Sequence, residues 1–197
     1  MARPSAVAER RHEILEATCE VVAERGFRDL RIADVAKIAG YSTGTVHYYF
    51  DSKEELLKDA FRFQYEQSRE RRNAYARVEE DPVVRLRKLA DGYLPTSVET
   101  IRSWRVWLEL WVSALANESL REINDYYYGD WRQAVLDAVT EGKTRDLLNV
   151  IDPVAYADTF VGMLDGLAIQ VLIGSTHMTA KRMKATCEGL IDSIVAS

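Results

Sequence analysis

At 197 residues, 47% hydrophobic and 29% charged, the chain has the composition of a folded protein with one ordinary core or two small ones, which excludes a disordered chain. The net charge of −5 argues against nucleic acid only until its distribution is read. Residues 1–53 hold as many bases as acids and the remainder carries the whole excess, whereas DNA binding needs a basic face and not a basic protein. The longest apolar stretch, around 160–173, is interrupted by Asp165 and Gln170, and no basic-then-apolar leader opens the chain. Cys19 and Cys187 are far apart, each in an apolar helical context, and are expected to be buried free thiols of a cytoplasmic protein without a membrane partner. With four prolines, ten glycines and little alternation of strand type, the fold class is all-α, with about nine helices.

The first helix is expected from about Val7 to Arg25. Ile14, Leu15, Thr18, Val21 and Val22 form one apolar stripe, and Gly26 is placed as its stop. Two short helices follow, about 32–39 and 43–49, too short to stand without packing. The fourth, 53–77, opens with a capping box in which Ser52 reaches the Glu55 N–H and Glu55 returns to the Ser52 N–H. Its far half is heavily charged and reads as solvated. Residues 78–82 look like a domain boundary, with Asp81 as cap and Pro82 at the first position of the next helix. Further helices are expected at about 82–98, 103–116, 118–140, 153–174 and 180–195. Asp152-Pro153 repeats the Asp-Pro start, Thr179 is a cap, and Gly142 and Gly174 are stops. The expected division is 1–52 for an N-terminal domain, 53–77 for a connecting helix and 78–197 for a larger C-terminal domain.

The pair of short helices has the parts of a helix-turn-helix. Val35, Ala36, Ile38 and Ala39 supply an apolar underside and Gly40 the turn. Ser42 caps the second helix, whose free N–H groups then favour a phosphate oxygen. Thr43, Gly44, Thr45 and His47 form its outer side, while Val46 and Phe50 point to the core. Threonines donate and accept at base edges and offer a methyl to thymine; Tyr48 reaches a phosphate, and Lys53 clamps another. The plain alternative is a helical hairpin with surface Thr and Tyr. Its place between an amphipathic helix and a capped long one favours the DNA reader.

The segment GFRDLRIADVAKIAGYSTGTVHYYFDSKEELL resembles the DNA-binding domain of the TetR family of repressors over roughly residues 8–57, through AxxAGxSxGTxxxYF followed by xxKxxLL. The resemblance implies a three-helix domain with DNA contacts on Ser42, Thr43, Thr45, His47, Tyr48 and Lys53. Three positions depart from the common pattern. Arg31 stands where a Thr usually caps the second helix, so its phosphate contact becomes a guanidinium one. Tyr41 replaces a Val, and His47 a Tyr.

The C-terminal part is similar to the BetI (choline/betaine regulator) subgroup of that family, through WRVWLELW at 104–111 and MLDGL at 163–167, with the YSTG turn at 41–44 in the N-terminal part alongside them. This implies a ligand cavity in each subunit and a homodimer through the last two long helices. From the residues themselves, Trp104, Trp107 and Trp111 share a helix face, and Tyr127 and Trp131 lie on the next helix. They form either an aromatic core or an aromatic-lined pocket with Glu109 or Asp165 as anionic partner, suited to an organic cation, with an apolar or aromatic effector as the alternative. Small residues Ala157, Gly162 and Gly166, with Ile169 and Ile173, face Leu190, Ile191 and Ile194 in the expected dimer. His12, His47 and His177 have no metal-ligand spacing, and no phosphate loop or nucleophile motif is present, so no cofactor, metal or catalytic residue is expected. The expected function is a ligand-responsive repressor: a homodimer on a palindromic double-stranded operator, released by a small-molecule effector. The alternative is a helical small-molecule-binding adaptor without DNA binding.

Overall fold

The computed structural model describes residues 6–76 and 81–196, with side chains of 72–76 left aside. Of the expected boundary, 78–80 lie outside the described residues. Nine α-helices occur among the described residues: α1 (Ala6–Arg25), α2 (Ile32–Ala39), α3 (Thr43–Tyr49), α4 (Lys53–Ala76), α5 (Pro82–Asp91), α6 (Val98–Ala114), α7 (Glu118–Thr144), α8 (Pro153–Leu172) and α9 (Ala180–Asp192). Among them no helix is long and apolar enough to cross a membrane. The chain divides into two compact units, residues 1–68 with 102–125, and residues 69–101 with 126–197, so the borders fall inside α4, α6 and α7.

In the first unit the α1 stripe is buried as expected, Ile14, Leu15, Thr18, Val21 and Val22 all lying in the core with Leu30, Val35, Val46, Phe50, Leu57 and Phe61. Each fully buried aliphatic side chain contributes about 1.5–3 kcal/mol, which is what holds helices of seven and eight residues that could not form alone. The underside of α2 is narrower than expected. Val35 and Ala36 are buried, but Ile38 is 42% exposed, because the short helix turns only one side to α1. At the head of α4, Ser52 accepts from the Glu55 N–H at 3.1 Å, but Glu55 returns to the N–H of Asp51 at 2.8 Å and not to that of Ser52. All but the first turn of α6 and the start of α7 belong to this same unit, contributing Trp104, Val106, Leu110, Leu120 and Ile123 to buried positions.

In the second unit, helix starts follow local chemistry. Asp81 accepts from the N–H groups of Val83 and Val84, Asp152 from those of Val154 and Ala155, and Thr179 from that of Arg182. The core gathers Leu86, Leu89, Trp131, Val135, Val139, Phe160, Leu164, Met183 and Ile191, with α9 packed on both α5 and α8.

Helix limits differ from expectation where tertiary or competing local contacts intervene. The fifth helix ends at Asp91, not near 98, and the sixth begins at Val98, not 103. Ser97 accepts from the Thr100 N–H at 3.1 Å while the Thr100 hydroxyl accepts from the N–H groups of Thr96 and Ser97, so a Ser-x-x-Thr cap opens α6 early. Gly142 does not stop α7, which runs to Thr144. A Cβ there would stand 2.5 Å from Leu148 Cδ1, so the bare position serves the close approach of a buried leucine. The ninth helix ends at Asp192, because Val195 pairs in an antiparallel bridge with Leu148 and Asn149 N–H donates to the Ile194 carbonyl at 2.6 Å. In the expected dimer face, Ala157 and Ile191 are wholly buried within the unit and do not face outward.

Candidate nucleic-acid interface and ligand site

The turn between α2 and α3 is made by Gly40 at φ +74°, a left-handed conformation that costs a residue with a Cβ roughly 1–2 kcal/mol. It lets Tyr41 N–H donate back to the Ala36 carbonyl at 2.8 Å. Ser42 then caps α3: its Oγ accepts from the Thr45 N–H at 3.0 Å and lies 2.9 Å from the Thr45 hydroxyl. Ser42, Thr43, His47 and Tyr48 are exposed, Tyr48 to 80%, while Thr45 is half-buried beside its cap. Arg31 is exposed at the head of α2 and makes no side-chain cap there.

Two predicted contact residues hold intramolecular partners. The Tyr41 hydroxyl donates to the Glu13 carboxylate on α1, and this bond to a carboxylate holds the phenol above its ordinary range. Lys53 Nζ donates to the Arg28 carbonyl at 3.2 Å and sits 4.9 Å from the Phe27 ring centroid. Under this surface, Phe50 carries the Arg11 guanidinium on its ring at 5.1 Å, and Arg11 pairs with Asp59.

The seven predicted ligand residues divide between the units. Trp104, Trp107, Glu109 and Trp111 belong to the first, where Trp104 and Trp111 meet edge to face at 6.0 Å and Trp107 meets Tyr65 at 6.3 Å. Trp111 donates its indole N–H to Asn124 at 2.9 Å, and Glu109 accepts the Phe27 N–H at 2.8 Å. Tyr127, Trp131 and Asp165 belong to the second unit. There Asp165 accepts the hydroxyl of Tyr93 on one oxygen at 2.7 Å and that of Tyr128 on the other at 2.9 Å. Tyr93 stacks on Trp131 with centroids 4.7 Å apart and planes 15° from parallel. Burial pushes the Asp165 carboxyl above the ordinary aspartate range, and the two hydroxyls only partly offset this. Burial, then the carboxylate, raise Tyr128 in turn, so its hydroxyl stays a donor. No lysine or arginine pairs with Asp165 among the described residues. Tyr93 escaped sequence reasoning because it follows the early end of α5, where a helix was expected to continue. Tyr128 adjoins the predicted Tyr127 in sequence but had no signal that aimed it at Asp165. A cavity of about 340 Å³ in this unit is rimmed by Arg71, Lys88, Asp91 and Glu99, charges of both signs.

A helical protein with a capped reading helix after a glycine turn is a helix-turn-helix DNA-binding protein in class. Residues 14–60 match the model of bacterial regulatory proteins of the tetR family, and residues 82–196 match that of the BetI-type transcriptional repressor C-terminal region. The Bacillus subtilis regulator PksA is 25% identical over 191 residues, covering 94% of this chain and 89% of that one. The Stenotrophomonas maltophilia regulator BetI is 34% identical over 118 residues, 58% of this chain and 59% of its own. A regulator from Saccharomonospora viridis, solved in complex with choline, superposes with a TM-score of 0.91 at 30% identity, covering 96% of this chain and 99% of that one. The chain belongs to the TetR family of transcriptional regulators, with a C-terminal region of the BetI type.

Proposed function

We propose that the protein is a homodimeric cytoplasmic repressor that holds a palindromic operator through paired α3 helices and releases it when a small organic cation binds the second unit. Residues 1–52 read DNA, the fourth helix connects, and 78–197 bind effector and dimerise. It acts through coupled binding equilibria and carries out no reaction. The DNA face is Arg31, Tyr41, Ser42, Thr43, Thr45, His47, Tyr48 and Lys53.

The observation that carries the effector class is the Asp165 carboxylate: half-buried, tied to two tyrosine hydroxyls, beside a Tyr93–Trp131 stack, and paired with no lysine or arginine among the described residues. An incoming cation supplies the missing charge, and each desolvated ring contact adds about 0.5–2 kcal/mol. The choline held by the Saccharomonospora viridis regulator is of this chemistry. The effector set is thereby Asp165, Trp131 and Tyr127 with Tyr93 and Tyr128 added. For the dimer, Gly162 and Gly166 support an exposed α8 face over which a Cβ meets nothing within 4 Å, so a partner helix can approach closely; Ile173, 67% exposed, extends it. The test is titration calorimetry with choline, combined with anisotropy of a labelled operator duplex. Choline must weaken operator binding by the factor by which operator weakens choline. Absence of choline-class binding sinks the effector assignment.

A further inference from the structure

Glu109 was expected beside a ligand, but its carboxylate is used elsewhere. Oε2 accepts the N–H of Phe27, at 2.8 Å, in the first turn after α1. It arrives there because Gly26 has no side chain: a Cβ at Gly26 would lie 3.1 Å from Oε1 and 3.2 Å from Oε2. The next residue of that turn, Arg28, gives its carbonyl to Lys53, and Leu30 N–H closes onto the Phe27 carbonyl at 3.3 Å. The turn leads directly into α2 and so into the helix-turn-helix. On its other side, α6 is fixed by a buried Gln64–Ser103 hydrogen bond of 2.8 Å to α4.

We propose that Glu109 is a positioning residue for operator reading: its carboxylate holds the turn from which α2 and α3 depart, and so fixes the pose of the reading helix relative to α6. Base-edge contacts demand placement to a fraction of an ångström, whereas phosphate contacts of lysine and arginine tolerate displacement. Loss of the hook therefore lowers specific affinity and spares non-specific affinity. What matters is reach, since a hydrogen-bond acceptor must stand within about 3 Å of the Phe27 nitrogen.

The test compares full-length wild type with Glu109→Ala, Glu109→Asp and Glu109→Gln. The probes are a duplex selected by the wild type from a random library and an unrelated duplex of equal length, with hydrogen exchange of the Phe27 amide read in the free proteins. Expected are a loss of about tenfold in selected-duplex affinity for Ala and Asp, near wild-type affinity for Gln, and unchanged affinity of all four for the unrelated duplex. Phe27 exchange accelerates in Ala and Asp alone. Should Ala fold poorly, the Asp–Gln contrast decides. The proposal is overturned if Asp behaves as wild type while Gln loses affinity, if both duplexes are lost equally, or if Phe27 exchange is the same in all four.

Discussion

Ser42 combines two duties that substitution can separate. Its Oγ accepts the Thr45 N–H at 3.0 Å, capping a helix of only seven residues, and it stands exposed where an operator phosphate is proposed to lie. In Ser42→Ala the cap is lost, at a cost of about 1 kcal/mol within a range of roughly 0.5–2. For a chain of this size that is a melting-temperature decrease of about 2–4 °C. Ser42→Asp keeps an equally good cap, and a negative charge at a helix N-terminus adds about 0.3–1 kcal/mol, so stability stays level or rises. The same charge faces the phosphate, where two unit charges 4 Å apart repel by roughly 4 kcal/mol before salt screening. Operator affinity of Ser42→Asp therefore falls more than tenfold. Calorimetric melting and fluorescence anisotropy at two salt concentrations read both quantities. A Ser42→Asp protein that binds operator like the wild type refutes the phosphate contact, and a Ser42→Ala protein that melts like the wild type refutes the cap.

Gly142→Ala gains about 1 kcal/mol of helix propensity but drives a Cβ to 2.5 Å from the buried Leu148, an overpacking cost of roughly 1–3 kcal/mol; denaturant melts should show net destabilisation. Since burial raises the Asp165 carboxyl, choline affinity should be full above that raised pKa and fall as pH drops through it, starting at higher pH than for an exposed aspartate. Asp165→Asn should weaken choline binding more than tenfold and flatten this profile. Both thiols are free and buried, with Cys19 pushed up to about 12 and Cys187 to about 11, so neither should react with a thiol reagent at pH 8 until the protein unfolds.

Features written within a few residues were legible in the sequence. The caps at Ser42, Asp81, Asp152 and Thr179, the stops at Gly26 and Gly174, and the α1 stripe depend on near neighbours or on a helical period. Features set by distant residues were not. Gly142 looked like a stop because Leu148's approach cannot be seen from its own neighbourhood, and Ala157 looked like an interface residue although it lies in the core. In the candidate site, Asp165 stood out as an acid inside an apolar stretch and Trp131 as an aromatic on the helix after the tryptophan face. Tyr93 was invisible because only folding brings it from the end of α5 to that carboxylate. Glu109 was read as an anionic partner because it stands in the same helix as the tryptophans, yet its partner lies in a turn that nothing nearby in sequence announces.

Gly26 is constrained twice over. Its φ of +78° penalises any residue with a Cβ, and a Cβ there would press on the Glu109 carboxylate, whose oxygens would stand 3.1 and 3.2 Å away. Relief of either constraint alone leaves the other standing, so any single replacement at 26 is penalised. Among descendants of this chain, change at 26 should therefore be rarest while the glutamate persists, and should stay uncommon after 109 has shortened, because the backbone constraint remains. A half-buried loop glycine would then show the substitution record of a core residue.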